Sequence, residues 1–407
     1  MSRPDFDVVV VGARCAGSPL AMLLARRGYQ VLVVDRSTFP SDTISTHVVH
    51  PPAVAALGRW GILDRLVETG CPAIDTYVFD FGAFSITGTP GTAASPVGYC
   101  PRRRVLDKLL VDAAVSAGAE VREGFIVDEI LRDGDRVTGL GGHHKDGQVA
   151  QITARVVVGA DGRSSVVAKA VQPVEYHQKP ALLGAYYSYW SGLPMHGRFE
   201  TYVRPHHGFA AAETHDGLTM VVGGWPVAEL EARKHDLAGN YERLFDSAPA
   251  FAARIRGAKR VERVFGAVTP NVFRKPYGSG WALVGDAGYT KDPITAQGIV
   301  DAFRDAELLA DGLDAALSGA TSFDTAMASY QTTRDAQALP MYEMTCQIAT
   351  LEPPPPDLQA LLGAAHGNQG AMDDFCRVNA GTISPSQFFA PENVGRIFAA
   401  RAQPSMR

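Results

Sequence analysis

The sequence predicts an α/β protein whose parallel-sheet domain is discontinuous, with a mostly antiparallel β-sheet domain inserted into it and a helical region at the C-terminal end. Three observations lead there. Apolar runs at Val8–Val11, Val31–Val34, Val156–Val158 and Trp281–Val284 have the length and aliphatic make-up of strands buried on both faces. Gly and Asp cluster at the C-terminal ends of these runs, where open α/β sheets bind ligands. Between the third and fourth runs the chain changes character. Segments near 181–191, 197–204, 207–214 and 218–225 are rich in Tyr, Phe, Val and Thr, and turn pairs such as Asp216-Gly217 separate them, as expected of antiparallel strands. A second meander is expected near 120–155, with Asp133-Gly134 and Asp146-Gly147 as its turns.

These patterns assign residues 1–75, 98–175 and 275–330 to the parallel-sheet domain, 76–97 and 176–274 to the inserted sheet domain, and 331–407 to a helical cap. Pro353 to Pro356 reads as a stiff polyproline spacer between helices. The composition is that of a folded globular chain: 407 residues, 46% hydrophobic and 20% charged. A formal charge of -5 gives no electrostatic footprint for nucleic acid or an anionic membrane. No apolar run reaches the ~20 residues that span a bilayer. Met1-Ser-Arg-Pro-Asp5 runs straight into a strand without a signal-peptide core. The five cysteines are scattered and form no C-x-x-C, which argues against disulfides and a metal site and for a reducing cytoplasm.

The first chemical signature runs from Phe6 to Asp35: strand, glycine turn, helix, strand, acid. Gly12 and Gly17 take the first and third positions of G-x-G-x-x-G, with the apolar stripe Leu20, Leu23 and Leu24 behind them and Gly28 placed to end the helix. A carboxylate at Asp35 can accept hydrogen bonds from the two hydroxyls of a ribose, and a pyrophosphate would rest on the helix N-terminus. Arg14 stands where the motif has its second glycine, so its side chain must point away or itself contact the dinucleotide.

The second signature, Gly159-Ala-Asp-Gly-Arg-Ser-Ser165, is another tight turn at a strand end; Asp161 or Ser164 could equally do no more than cap a helix. The third begins at Gly285-Asp286 and continues through Pro293 to Gly298. There an amphipathic helix starts, with Ile299, Phe303, Ala306, Ala310 and Leu313 at helical spacing. Its N-terminus would stabilise negative charge. Between them, Pro101-Arg-Arg-Arg104 opens a helix. Three cations at a helix start oppose the dipole, so either an anionic ligand or a solvated basic face is expected there.

Taken together, these residues resemble the FAD-dependent monooxygenase family of the para-hydroxybenzoate hydroxylase type, related to geranylgeranyl reductases and flavin-dependent halogenases. That family carries three fingerprints in this order, here Gly12/Gly17/Asp35, Asp161/Gly162 and Gly285/Asp286/Pro293/Gly298, and an Arg-x-x-Leu-Asp element like Arg103 to Asp107. The resemblance spans roughly residues 5 to 320. It implies a Rossmann-like FAD-binding domain with the inserted sheet as the substrate domain, and NAD(P)H as hydride donor. The cofactor-binding residues it implies are Gly12, Ala13, Arg14, Ala16, Gly17, Asp35, Arg36, Arg103, Asp161, Gly162, Gly285, Asp286, Pro293, Ala296, Gln297, Gly298 and Ile299. Asp35 would hold the adenosine ribose, Asp286 the ribitol chain, and Arg103 (with Arg104 as rival) the phosphate or ribitol region. Two departures stand out: Arg14 replaces a glycine, and Gly288-Tyr289 stands where many relatives have Ala-His.

The expected activity is hydroxylation of an aromatic or polyketide-like small molecule by molecular oxygen, through a peroxyflavin. Substrate would lie between the ring and the antiparallel sheet, where Tyr187 and Tyr189 alternate with Tyr186 and Trp190 and either pair could face it. His47, in Ser45-Thr-His-Val-Val-His50, is the candidate catalytic residue, as general base on a phenol or as a substrate ligand. Two alternatives share the motifs. A reductase of isoprenoid double bonds would carry a Cys-containing segment that Arg36 to Pro52 lacks. A halogenase would carry W-x-W-x-I-P, of which Tyr189-Trp-Ser-Gly-Leu-Pro194 is a faint echo. A non-catalytic nucleotide-binding protein is the remaining reading.

Overall fold

The computed structural model describes residues 3–401. β1 (Phe6–Val11) enters the core at once, with Val8, Val9 and Val10 fully buried. A glycine turn leads into α1 (Gly17–Ala25), and Gly28, at φ +89°, turns the chain back into β2 (Val31–Asp35). β3 (Thr76–Asp80) and β4 (Ser85–Gly88) form a hairpin that leaves for the second sheet. The chain returns with α2 (Arg103–Ser116) and β5 (Glu120–Glu123).

β5 pairs in parallel with β2, where the sequence suggested part of a meander. Its residues are Glu, Val, Arg and Glu because it is the edge strand, so it lacks the apolar run that marks an inner parallel strand. The meander proper is β6 (Phe125–Asp133), β7 (Arg136–His144) and β8 (Val149–Gly159), which turns at Gly134 and Gly147. The second half of β8 pairs in parallel with β1, so one strand serves both the meander and the parallel sheet.

β9 (Glu175–Lys179) is followed by β10 (Leu183–Ser191), β11 (Arg198–Arg204), β12 (His207–Glu213), β13 (Leu218–Pro226) and β14 (Phe265–Val268). β10 to β14, with β3 and β4, form this second sheet in the order β14–β10–β13–β12–β11–β3–β4, antiparallel except where β11 meets β3. Its two faces separate cleanly. Trp190 packs with Tyr241, Phe245 and Phe251 of the helices behind the sheet, and Tyr186 packs against that cluster. Tyr187 and Tyr189 face Tyr77, Phe199 and Met220 on the other side.

β15 (Asn271–Arg274), β16 (Trp281–Leu283) and β17 (Tyr289–Thr290) bring the chain back. β16 completes the parallel sheet, in the order β16–β8–β1–β2–β5. β9, β15 and β17 form a small third sheet. It joins short segments from distant parts of the chain and has no alternation to announce it in the sequence.

α3 (Gly298–Leu317) buries Ile299, Phe303, Ala306, Ala310 and Leu313 as its spacing required. α4 (Phe323–Ile348) is continuous across residue 330, so the helical region begins before the expected boundary. α5 (Pro356–Ala365), α6 (Gln369–Asn379) and α7 (Pro385–Phe388) follow, with Pro356 in the first turn of α5, where a missing N–H costs nothing. No described helix is long and apolar enough to cross a membrane.

Candidate active site

The three strand-end turns meet in one cleft of about 710 Å³, whose walls include Gly12, Asp35, Asp161 and Asp286. Gly12 has φ +105°, and a Cβ there would stand 2.5 Å from the Ala160 carbonyl oxygen; a Cβ on Gly17 would stand 1.8 Å from that of Gly12. Both glycines are therefore steric requirements of the turn. Ala13 donates its N–H to Asp35 Oδ2 at 2.8 Å and Ser37 donates to Oδ1 at 2.7 Å. Each oxygen keeps a second acceptor site, so the carboxylate can still take a hydroxyl. Arg36 lies exposed on the rim. Ala13 and Gly17 sit behind the cleft wall rather than on it.

Asp161 caps the following helix, accepting from Val166 N at 2.6 Å through Oδ2. Its Oδ1 is buried with no partner, although Asp161 lines the cleft. The capping reading and the ligand reading therefore apply to different oxygens of one carboxylate. Asp286 opens into the cleft, and no hydrogen bond from a described residue reaches it. Burial, then the negative charge of Asp301, push its carboxyl above the ordinary range, against the pull of Lys291, Arg103 and Arg163.

The N-termini of α1 and α3 both open on the cleft through Ala16, Gly298 and Ile299, and neither has a side-chain cap. Their free N–H groups and dipoles make two anion-binding points. Arg14 turns away from the turn it interrupts. Its Nη1 lies 2.5 Å from Asp107 Oδ2, and Arg103 reaches the same carboxylate at 2.9 Å. Two guanidiniums share one buried anion, which leaves one positive charge beside the cleft for a phosphate. The other two arginines need no ligand: Arg102 pairs with Asp42 and Glu262, and Arg104 with Asp216.

A buried ionic network behind the third turn was missed from sequence. Lys291 pairs with Asp301, which also holds Arg304 at 3.0 Å; Arg304 reaches Asp305 at 2.7 Å. The available signal was charge on the apolar face of α3, where Asp301 and Asp305 sit one turn apart among Ile299, Ala302 and Ala306. Gly288, the departure from Ala-His, makes room for Arg334: a Cβ there would lie 3.1 Å from the guanidinium. Tyr289 stacks on Phe273 at 4.7 Å and receives Arg304 at 3.2 Å.

Past the third turn the loop is held on several sides. Asp292 accepts Leu183 N of β10 at 3.0 Å and Ile294 N at 3.2 Å, and burial pushes its carboxyl up to about 7. Gln297 faces away from the cleft, donating to Asn379 O of α6 at 2.9 Å, so it ties the loop to the C-terminal helices and does not line the cofactor groove. Pro293 and Ala296 lie between this cleft and a second cavity of about 860 Å³, walled by the second sheet and by α4 to α7. Tyr187 and Tyr189 share the sheet face of Tyr77, Phe199 and Met220, which line the cavity, and Tyr187 itself lines the cleft.

His47 is the one expected catalytic residue that the structure takes elsewhere. It is fully buried, adopts φ +61°, lines neither cavity, and packs with its Nε2 on the Tyr189 hydroxyl. Burial, then the charge of Arg103, push its imidazole down to about 3. It is neutral at physiological pH and braces Tyr189, which also carries the Arg102 guanidinium on its ring at 3.9 Å. His50 reaches the second cavity, but both nitrogens are engaged, with Tyr77 Oη at 2.7 Å and Thr295 O at 3.2 Å. A folded-state imidazole below its unfolded value of 6.5 means that the unfolded chain takes the proton first. Its contribution to stability is complete above that value and is lost as pH falls from there toward 3. His47→Asn, which tolerates positive φ, should therefore flatten the acid limb of stability by up to one proton. It should leave the pH profile of turnover unchanged between about pH 6 and 9; loss of a limb near neutrality would restore His47 as general base.

The family described as FAD binding domain matches residues 5–345, and the chain belongs to it. A digeranylgeranylglycerophospholipid reductase of Methanosarcina mazei is 26% identical over 340 residues, which cover 78% of this chain and 77% of that protein. The rifampicin monooxygenase of Streptomyces venezuelae is 29% identical over 332 residues, 77% of this chain and 65% of that protein. The myxobacterial chondrochloren halogenase, an FAD-dependent halogenase, shares the fold at TM-score 0.79 and 22% identity over 92% of this chain and 96% of that one. The protein is thus a flavin-dependent enzyme of the oxidoreductase class. The cleft fits FAD on its own terms. Asp161 Oδ1 lacks a partner, Asp286 faces the groove unsatisfied, and a Cβ at Gly162 or Gly298 would meet open space in its wall.

Proposed function

We propose that the protein is an FAD-dependent, NAD(P)H-consuming monooxygenase that hydroxylates a bulky, apolar aromatic or polyketide-like molecule. The observation that carries this reading is the second cavity. At about 860 Å³ it is near the upper end for small-molecule sites, and Phe79, Phe199, Met220 and Phe375 line it. The charged lining residues are Arg204, already paired with Asp80, and the exposed Glu343 and Glu352. An apolar substrate can fill this space and expel the water that competes with oxygen transfer.

Bound in the cleft, FAD would accept a hydride from NAD(P)H and activate molecular oxygen; one oxygen atom enters the product and the other leaves as water. This chain supplies the rest. Asp35 would hold the adenosine ribose and Asp286 the ribitol, with the phosphates on the α1 N-terminus and the Arg14–Asp107–Arg103 cluster. Pro293 and Ala296, held by Asp292 and His50, would flank the ring where it meets the cavity. The α3 N-terminus would stabilise negative charge on the reduced ring. The five cysteines are buried and unpaired, which supports a reducing cytoplasm as the working compartment.

Double-bond reduction of an isoprenoid is the second reading, favoured by the coverage of the archaeal reductase and by the same apolar cavity. One experiment separates them: NAD(P)H oxidation in the presence of a phenolic polyketide, under ¹⁸O₂. The monooxygenase reading expects a product heavier by one ¹⁸O atom and no turnover without oxygen. Saturated product formed anaerobically from an isoprenoid would replace it with the reductase reading.

A further inference from the structure

Five residues line both the cofactor cleft and the substrate cavity: Thr46, Ala185, Val222, Pro293 and Ala296. They frame the aperture through which the two spaces communicate, and all are small or compact. Two come from the second sheet, and the register there is informative. Ala185 of β10 lies opposite Ala267 of β14 on one side and Gly224 of β13 on the other, and Gly224 lies opposite Gly208 of β12.

Cross-strand partners present their side chains to the same face of a sheet. Ala267 lines the cleft, Ala185 lines both spaces, and Gly224 and Gly208 line the cavity. A trough floored by four small residues therefore crosses the sheet from one space to the other. Its neighbours in the same strands are large, with Tyr187 after Ala185 on the same face and Trp225 after Gly224 on the opposite one.

The trough floor is not freely adjustable. A Cβ on Gly224 would stand 2.1 Å from the Gly184 carbonyl oxygen, so that position must be glycine. Ala185 is half-buried, already carries a Cβ, and is the residue of the row that lines both spaces, so a larger side chain there would narrow the aperture.

We propose that Ala185 is the specificity-determining residue of this enzyme: it sets the clearance of the trough, and the part of the substrate that reaches the ring is a flat, fused aromatic system lying against the sheet. This rests on the reading of the second cavity as the substrate site, but not on the reaction performed there. The discrimination is steric: a side chain that fills the trough excludes a planar ring system while leaving the outer cavity available.

The test uses the FAD-loaded protein without oxygen or nicotinamide, so that it stands whichever reaction proves correct. 2-Naphthol, a flat and electron-rich probe, is titrated while the long-wavelength charge-transfer absorption and the quenching of flavin fluorescence are recorded. Nile red fluorescence reports occupancy of the outer cavity. Wild-type protein should show the charge-transfer band. Ala185→Phe should keep its flavin and its Nile red binding and lose naphthol affinity by at least about tenfold. Ala185→Gly should bind naphthol as well as wild type or better. If Ala185→Phe does not retain flavin, Ala185→Val is read in its place and should weaken naphthol at least about threefold. An Ala185→Phe protein that titrates like wild type, or a wild-type protein that shows no band, overturns the assignment.

Discussion

Asp286→Ala should fold and should lose FAD, with affinity falling by about 100-fold. A carboxylate accepting two hydroxyl hydrogen bonds contributes about 3 kcal/mol to a ligand in a desolvated groove, and ~1.4 kcal/mol is tenfold. The fold should not suffer. Burial and the nearby Asp301 already disfavour the charged carboxyl, and no hydrogen bond from a described residue depends on it. The apoprotein variant is therefore expected to be at least as stable as wild type. Flavin absorbance after desalting, with a melting curve of the apoprotein, checks both halves. Asp286→Asn should be intermediate. Full flavin content in the alanine variant would show that another group holds the cofactor.

Arg334→Leu should cost about 3–5 kcal/mol of folding stability, the effect of removing one member of a buried, fully bonded charge network. The side chain is fully buried in α4. It donates to Asp335 at 2.9 Å, to Tyr176 Oη at 2.8 Å, to the Arg274 carbonyl at 3.1 Å and to the Gly288 carbonyl at 3.4 Å. It thereby fastens α4 to β15 and to the turn that carries Asp286. Leucine leaves two buried carbonyls without these donors and Asp335 without its cation. Urea unfolding of the apoprotein measures the loss; a change within about 1 kcal/mol would mean that the network is not supporting the turn.

Much of this was legible in the residues. Four of the five strands of the parallel sheet are apolar because both their faces are covered. The glycines at 12, 17 and 28 stand where backbone geometry demands them, so the first turn was readable at the level of single residues. The antiparallel strands could be placed because Tyr, Phe and Val alternate there, but alternation alone does not say which face meets the ligand; only the packing of Trp190 against Tyr241 and Phe245 decides it.

What stayed hidden has a common physical cause: it depends on partners distant in sequence. Asp42, Glu262 and Asp216 neutralise Arg102 and Arg104 from far along the chain, so the basic helix start looked short of an anion when only Arg103 borders the cleft. His47 sits in the expected loop, but its positive φ turns the imidazole into the protein. Gln297 faces the C-terminal helices, whose place over the cavity no motif announces.

A single extended FAD is expected to run from Asp35 past Asp161 to Asp286 and to present its ring at the aperture between the two cavities. A crystal structure of the FAD-bound protein tests it directly. The expected map has the adenosine ribose at Asp35, the ribitol at Asp286 and the ring beside Pro293 and Ala296, facing Ala185. Density for the ring outside that aperture, or for FAD in any other groove, would contradict the account.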